Sequence, residues 1–189
     1  MTNMETPVLK RLFTVDEFHQ MADAGVFGED DRLELVDGEI VQMTPIGSRH
    51  ASCVKRLNRW FAQHVGPDVI VSVQDPVVLD DGNELFPDVA LLRQRPDFYD
   101  GSHPRPGDVL VVVEVADTTG DYDRRVKVPR YARAGVPEVW VVDLNARVIE
   151  VYARPLAGEY RDRRPIQPGE SVAIPGVPGQ QLAVADILA

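Results

Sequence analysis

The segment from Val109 to Val115 limits the possible folds of this chain more than any other, because every residue in it except Glu114 is apolar. A strand that is buried on both faces has a continuous apolar sequence, whereas a half-buried strand alternates apolar and polar residues. The segment therefore predicts a central strand of a sheet that is covered on both sides. A glutamate there must lie at the exit of the strand, be paired or bind a metal, because burying an unpaired carboxylate is costly.

Local signals near the start of the chain predict a helix and a hairpin. Thr14 and Glu17 have the spacing of a capping box, so a helix should begin at Val15. Apolar residues flank Asp37-Gly38, which favours a tight turn between two antiparallel strands.

The following segment predicts one helix and then several strands. The helix should open at Gly47-Ser48 and stop at Gly66, and the strands are expected at Val69–Val73, Val77–Leu79 and Leu85–Leu92. Pro87 cannot donate a hydrogen bond to a neighbouring strand, so the pairing must open at that point. Asp88 therefore lies at an interruption of a strand.

The rest of the chain completes an alternation of strands and helices. A long surface loop is expected from Arg93 to Gly107, and a helix with a kink at Pro129 from Tyr122 to Ala134. Further strands are expected at Val139–Val142 and Val148–Tyr152, followed by turn-rich sequence from Pro155 until Leu182–Leu188. We predict an α/β fold with a mixed β-sheet flanked by helices, an N-terminal helix and a β-hairpin extension, in a single domain over residues 1–189.

Composition narrows the function classes. The chain has 189 residues and a single cysteine, Cys53, which excludes an internal disulfide and a thiolate zinc cluster within one chain. The net charge of −10 argues against broad charge-driven adhesion to nucleic acid, although a few local cations and a metal can dominate one cleft. No segment is long and apolar enough to span a membrane, and the first residues lack signal-peptide features, so a cytoplasmic location is expected.

Three polar residues indicate hydrolytic chemistry. Asp88 and Glu114 lie on neighbouring predicted strands, where two carboxylates can hold a hard divalent cation, and the ammonium of Lys127 can orient an attacking water. Two of these residues also have a simpler interpretation: Asp88 as a turn or solvent-facing carboxylate, and Lys127 in an exposed ion pair with Asp123, one helical turn earlier. The pattern is suited to cleavage of phosphodiesters.

His50 and Glu34 are further candidates. His50 lies at a helix N-terminus, where a phosphate can be held, although a histidine at this place is often part of the core. Glu34 and Glu39 are five apart on the hairpin and should point to opposite faces. Gln74 is a weaker candidate for orienting water.

The chain resembles the PD-(D/E)XK nuclease superfamily, and more closely its Uma family of restriction-endonuclease-like proteins. The resemblance covers most of residues 13–153, and it rests on the joint order of Glu34–Glu39, the His50 helix start, Pro87-Asp88-Val89, Val113-Glu114-Val115, Asp123 through Lys127 to Ala132, and Gly135 through Trp140 to Asp143.

The resemblance implies a restriction endonuclease-like core and a metal-dependent endonuclease that acts on DNA. Asp88 and Glu114 would bind Mg²⁺ or Mn²⁺, joined by the carbonyl of Val115. The usual lysine two places after the glutamate is replaced by Ala116, and the family pattern moves its role to Lys127. His50 and Glu34 would assist at the phosphate or water, and Glu34 is the glutamate of the hairpin that the resemblance turns inward.

A homodimer is expected, because cleavage of a duplex requires one site for each strand. Two alternatives remain open: a catalytically silent binding or regulatory protein that keeps the nuclease fold, and a metal-dependent hydrolase of a small phosphate ester.

Overall fold

A computed structural model describes residues 9–28 and 30–188 of the chain. Its helices are α1 (Val15–Asp23), α2 (Ser48–His64), α3 (Gly120–Tyr122), α4 (Val128–Ala134) and α5 (Val184–Ile187). Its strands are β1 (Leu33–Val36), β2 (Glu39–Gln42), β3 (Val69–Ser72), β4 (Val77–Asp80), β5 (Asn83–Leu85), β6 (Val89–Arg93), β7 (Val109–Ala116), β8 (Glu138–Asp143), β9 (Val148–Leu156), β10 (Glu159–Ile166), β11 (Ser171–Ala173) and β12 (Gln181–Ala183). No helix in this described part is long and apolar enough to cross a membrane.

The largest sheet has six strands in the order β10-β9-β8-β7-β6-β3. β7 runs parallel to β8, and the other neighbouring pairs are antiparallel, so the sheet is mixed. All eight residues of β7 are buried, which confirms the central strand that its apolar sequence predicts. Glu114 lies inside this strand and not at its exit, because pairing with β8 continues to Ala116.

The two faces of the large sheet carry separate cores. Val111, Val113 and Val115 pack with residues of α2, including Leu57 and Phe61. On the opposite face, Val112 and Ala116 belong to a cluster with Val128 and Tyr131 of α4 and several residues of the smaller sheet. Because side chains alternate along a strand, Glu114 shares this second face.

The smaller sheet has four strands in the order β2-β1-β5-β4, and it includes the predicted hairpin around Asp37-Gly38. The expected strand from Leu85 to Leu92 is in fact two strands that belong to different sheets. β5 ends at Leu85 in the smaller sheet, and β6 begins at Val89 in the large one. The interruption around Pro87 therefore carries the chain from one sheet to the other.

The capping box at Thr14 and Glu17 is present, and α1 begins at Val15 as predicted. The predicted helix from Tyr122 to Ala134 begins two residues earlier, at Gly120, and contains a π-helical turn over Asp123–Lys127 between α3 and α4. Gly135 follows α4 with a φ of 81°, a left-handed conformation that glycine adopts without strain.

The expectation of turn-rich sequence after Pro155 is wrong for one long segment. β10 pairs with β9 along its length and forms an edge of the large sheet. Its sequence is polar at nearly every position, so it lacks the apolar alternation that indicates a strand. Charged residues on an edge strand discourage pairing with other chains.

Candidate active site

Asp88 lies at the crossing between the two sheets and is held from three directions. Its Oδ2 atom lies 2.9 Å from Nε2 of His50 and accepts a 2.8 Å hydrogen bond from the backbone N–H of Val115. Its Oδ1 atom accepts a 3.3 Å hydrogen bond from the side-chain amide of Gln74. These contacts join β6, β7 and the start of α2 around one carboxylate, so Asp88 is not a free turn residue.

Glu114 is buried, with 2% of its surface exposed. Its Oε1 atom accepts a 2.7 Å hydrogen bond from the hydroxyl of Tyr131 and lies 3.4 Å from Nζ of Lys127. Burial raises the pKa of Glu114 well above its usual range, while the charge of Lys127 acts in the opposite direction. Glu114 is therefore a paired carboxylate in a dry environment.

Lys127 is buried between two carboxylates. Its Nζ atom lies 2.8 Å from Oε1 of Glu34, in addition to its contact with Glu114. Burial alone would lower the pKa of Lys127, but the charges of Glu114 and Glu34 outweigh it and raise the pKa above its usual value. The alternative of an exposed ion pair with Asp123 is wrong, because the side chain of Lys127 is only 8% exposed and faces Glu34.

The π-helical turn explains the direction of Lys127. Residues four apart lie on the same face of an α-helix, whereas a π-helical turn closes its hydrogen bonds over five residues. Lys127 is the last residue of this wide turn, and Pro129 follows in α4, where it cannot donate an N–H to the preceding turn. At the end of this turn, Lys127 contacts Glu34 and Glu114.

Glu34 enters the site from the smaller sheet. It is 1% exposed, and its Oε1 atom accepts a 2.9 Å hydrogen bond from the backbone N–H of Phe86, next to Pro87. Glu39 on the other strand of the hairpin is exposed and pairs with Lys10. The hairpin thus turns Glu34 toward the site and Glu39 toward solvent.

Asp123 is a carboxylate at the site that the sequence reasoning treated only as a partner of Lys127. It is 4% exposed, and the hydroxyl of Thr119 donates a 2.8 Å hydrogen bond to it. Burial raises the pKa of Asp123 to about 6, against the opposing charge of Lys127. In the sequence, Asp123 lies one helical turn before Lys127, and regular helical spacing predicts only an ion pair between the two. That spacing gave no indication that Asp123 itself lines the cavity.

One cavity of about 310 Å³ collects these side chains. Four carboxylates line it, those of Glu34, Asp88, Glu114 and Asp123, while its lysine and arginine side chains are Lys127 and Arg32.

This set of side chains suits a hard divalent cation, which prefers oxygen ligands, because the four carboxylates outnumber the two lysine and arginine side chains around the cavity. Two buried polar atoms nearby, Nδ1 of His50 and the hydroxyl of Tyr122, have no hydrogen-bond partner within residues 9–28 and 30–188. Unpartnered buried atoms beside a cavity are suited to contacts with water or a ligand.

A second cluster was not anticipated from the sequence. His19, Glu84 and His103 each offer one metal-ligating atom, and these atoms lie within 4.8 Å of one another. In the part of the chain that the structure describes, no other set of three His, Cys, Asp or Glu side chains meets this distance. None of the three residues lines the cavity around Asp88 and Glu114.

The fold and the cavity define a class of protein, an α/β domain in which several acidic residues and a lysine line one cavity beside a central buried strand. Residues 15–185 match the Uma2 family, described as "Putative restriction endonuclease", and the chain belongs to this family. The resemblance drawn from the sequence is confirmed.

The fold is similar to that of a solved protein from Anabaena variabilis, described as "a putative nuclease belonging to DUF820". The two structures superpose with a TM-score of 0.73 over 93% of this chain and 97% of that chain, at 16% sequence identity. This similarity confirms the predicted fold class and carries no information on activity. No curated protein matches the chain.

Proposed function

We propose that this protein is a metal-dependent endonuclease that hydrolyses phosphodiester bonds in DNA. The observation that carries the proposal is the convergence of Asp88, Glu114, Lys127 and Glu34 in one cavity, although they come from distant parts of the chain. The description of the Uma2 family supports the same class of reaction.

Asp88 and Glu114 are the proposed ligands of Mg²⁺ or Mn²⁺, together with the carbonyl oxygen of Val115. The N–H of Val115 donates to Asp88, and the N–H and C=O of one residue in a strand point to the same side. Val115 therefore supports an oxygen donor on the side of Asp88. Bound there, the cation would polarise the phosphate and stabilise the negative charge that develops on the leaving oxygen.

Lys127 acts as an ammonium in this proposal. Because its carboxylate neighbours raise its pKa, it stays protonated at neutral pH and cannot accept a proton from water. It can donate hydrogen bonds to the attacking water or to a phosphate oxygen, while Glu34 fixes its position. Lys127 thus has an electrostatic and positioning role.

The attacking water must lose a proton as its oxygen forms a bond to phosphorus and the bond to the leaving oxygen breaks. Asp123 is the proposed acceptor, since its pKa of about 6 makes it a carboxylate at neutral pH and it lines the same cavity. His50 contacts Asp88 through Nε2, so it can hold the orientation of that carboxylate or donate to a phosphate.

The test is cleavage of supercoiled plasmid and of single-stranded DNA by purified protein with Mg²⁺, Mn²⁺ or EDTA. We expect cleavage that requires the metal and falls at least about a hundredfold in Asp88→Asn and Glu114→Gln. Asp81→Asn is the matched control, because Asp81 is exposed in the turn between β4 and β5, and it should cleave at the wild-type rate.

Other outcomes would select the alternatives. Absence of cleavage together with absence of Mg²⁺ or Mn²⁺ binding by calorimetry would indicate a silent nuclease-fold binding protein. Metal-dependent hydrolysis of a small phosphodiester without cleavage of either DNA would indicate a hydrolase of small esters. Equal cleavage by wild type and both site variants would remove Asp88 and Glu114 from the mechanism.

We also propose a homodimer, since cleavage of both strands of a duplex requires two sites of opposite direction. Light scattering coupled to size-exclusion chromatography should give twice the 21.0 kDa mass of the chain. A monomeric mass that persists on DNA would contradict the dimer without affecting the proposed chemistry.

A further inference from the structure

The cluster of His19, Glu84 and His103 lies outside the cavity of the proposed nuclease site and has no part in its mechanism. We propose that it is a zinc site that ties α1 and the loop of residues 94–105 to the smaller sheet. The proposal does not depend on the nuclease function, because its residues and its ligand chemistry are different.

Backbone contacts position the three side chains. Val15 at the start of α1 donates its N–H to the carbonyl of Asp81, which fixes the helix against the turn before β5. Val78 of β4 pairs with Glu84 and also donates its N–H to the carbonyl of Pro104, next to His103. The scaffold therefore places one ligand on a helix, one on a strand and one on a loop before any ion is bound.

The three ligating atoms lie within 4.8 Å of one another, so side-chain rotations can bring them to the spacing of a tetrahedral ion. Nε2 of His19 lies 2.7 Å from Oε2 of Glu84, and the His19 and His103 rings meet edge to face with centroids 5.6 Å apart. Ligands about 2.0–2.2 Å from zinc in a tetrahedron lie roughly 3.4 Å from one another. His103 is exposed and His19 is half-buried, so both rings can adjust to this spacing.

The burial of Glu84 favours a bound cation at this cluster. It is 2% exposed, and no lysine or arginine nitrogen among the described residues lies within salt-bridge distance of it. A buried carboxylate without a fixed positive partner is costly, and a bound dication would neutralise it. His19 alone neutralises Glu84 only when the imidazole is protonated.

The ligand set selects zinc over the metal proposed for the nuclease site. Two imidazoles and one carboxylate suit zinc and related transition ions, whereas Mg²⁺ prefers oxygen ligands. Three protein ligands leave a fourth position for water. The two proposed sites therefore differ in metal preference within one chain.

The experiment is calorimetric titration of tag-free, chelator-stripped protein with ZnCl₂, in wild type and in Asp88→Asn. We expect one zinc ion per chain in both proteins, since Asp88 belongs to the other site. His103→Gln should weaken zinc binding at least about a hundredfold, because one of three ligands is lost. His64→Gln is the matched control, since His64 is exposed on α2 and should leave zinc affinity unchanged.

Two further measurements keep the test decisive. Co²⁺ bound in place of zinc should give the intense visible absorption of a four-coordinate ion in wild type and lose it in His103→Gln and His19→Gln. Zinc should slow amide exchange in residues 94–105 of the wild type, and should not do so in His103→Gln or His19→Gln. Undetectable zinc binding by wild type, or wild-type affinity in both histidine variants, would overturn the proposal.

Discussion

Replacement of Lys127 by methionine should destabilise the folded protein in a way that depends on pH. Methionine keeps most of the length of the side chain and removes its charge, which leaves Glu34 and Glu114 buried without their common cation. Nζ of Lys127 lies 2.8 Å from Glu34 and 3.4 Å from Glu114. Each contact is worth roughly 5–6 kcal/mol of attraction at an effective dielectric constant of about 20, before desolvation is subtracted.

The net loss of stability in Lys127→Met is smaller than the attraction between Lys127 and its two carboxylate partners. Removing one partner of a buried ion pair destabilises proteins by about 3–5 kcal/mol, because the remaining charge stays buried. For a chain of this size we expect the melting temperature of Lys127→Met near pH 8 to fall by roughly 6–20 °C. Circular dichroism melts and urea titrations in EDTA measure the loss. Lys55→Met is the matched control, since Lys55 is exposed on α2, and should change stability by less than about 0.5 kcal/mol.

The pH dependence of the stability loss in Lys127→Met shows whether the loss comes from the missing charge or from poor packing of the methionine. Burial raises the pKa of Glu114 already in the wild type, and loss of the Lys127 charge should raise it further. A carboxylate whose pKa is raised on folding contributes stability at pH values below its unfolded pKa, and this contribution is lost as the pH rises through the folded pKa. The variant should therefore approach the wild type near about pH 4 and differ most near about pH 8. A loss of under about 0.5 kcal/mol, or one independent of pH, would refute the reasoning.

Three other features give simpler tests. Burial raises the pKa of Asp123 from 3.8 to about 6, so the stability that this residue contributes to the folded protein is present below about pH 4 and is lost as the pH rises through about 6. Asp123→Asn should therefore raise the free energy of unfolding by up to about 3 kcal/mol near pH 8 and change it little near pH 4, as measured by urea titrations. Burial raises the pKa of Cys53 to about 12, so a thiol-specific disulfide reagent should react only after unfolding, and rapid reaction with the native protein would contradict this burial. Gly135→Ala should destabilise by about 1–2 kcal/mol because φ is 81° while a Cβ would have open space; Gly66→Ala, also in open space but without a positive φ, should show no such loss.

Elements with strong local signals could be predicted from the sequence. The capping box of Thr14 and Glu17 placed the start of α1, and the apolar run identified β7 as a central strand. Pro87 placed an interruption beside Asp88. In each case the deciding interaction lies within a few residues or follows from burial on both faces, so the sequence pattern carries the information.

Features that depend on distant pairing could not be predicted. β10 is a strand because β9 offers a partner along its whole length, and its own polar sequence gives no indication of this. The change of sheet between β5 and β6 follows from the pairing of β5 with β1 and β4. His19 and His103 are 84 residues apart, so no motif spacing could have joined them to Glu84.

The contacts of Lys127 link formation of the site to the packing of the two sheets. Glu34 belongs to the smaller sheet and Glu114 to the large one, and Lys127 contacts both. Neither carboxylate can be buried in this way unless the two sheets are packed together, since the crossing at Phe86 and Pro87 also supplies an N–H to Glu34. The charges proposed for catalysis are therefore assembled only when the sheets dock, and the same ammonium that neutralises them links the stability of this docking to the integrity of the site.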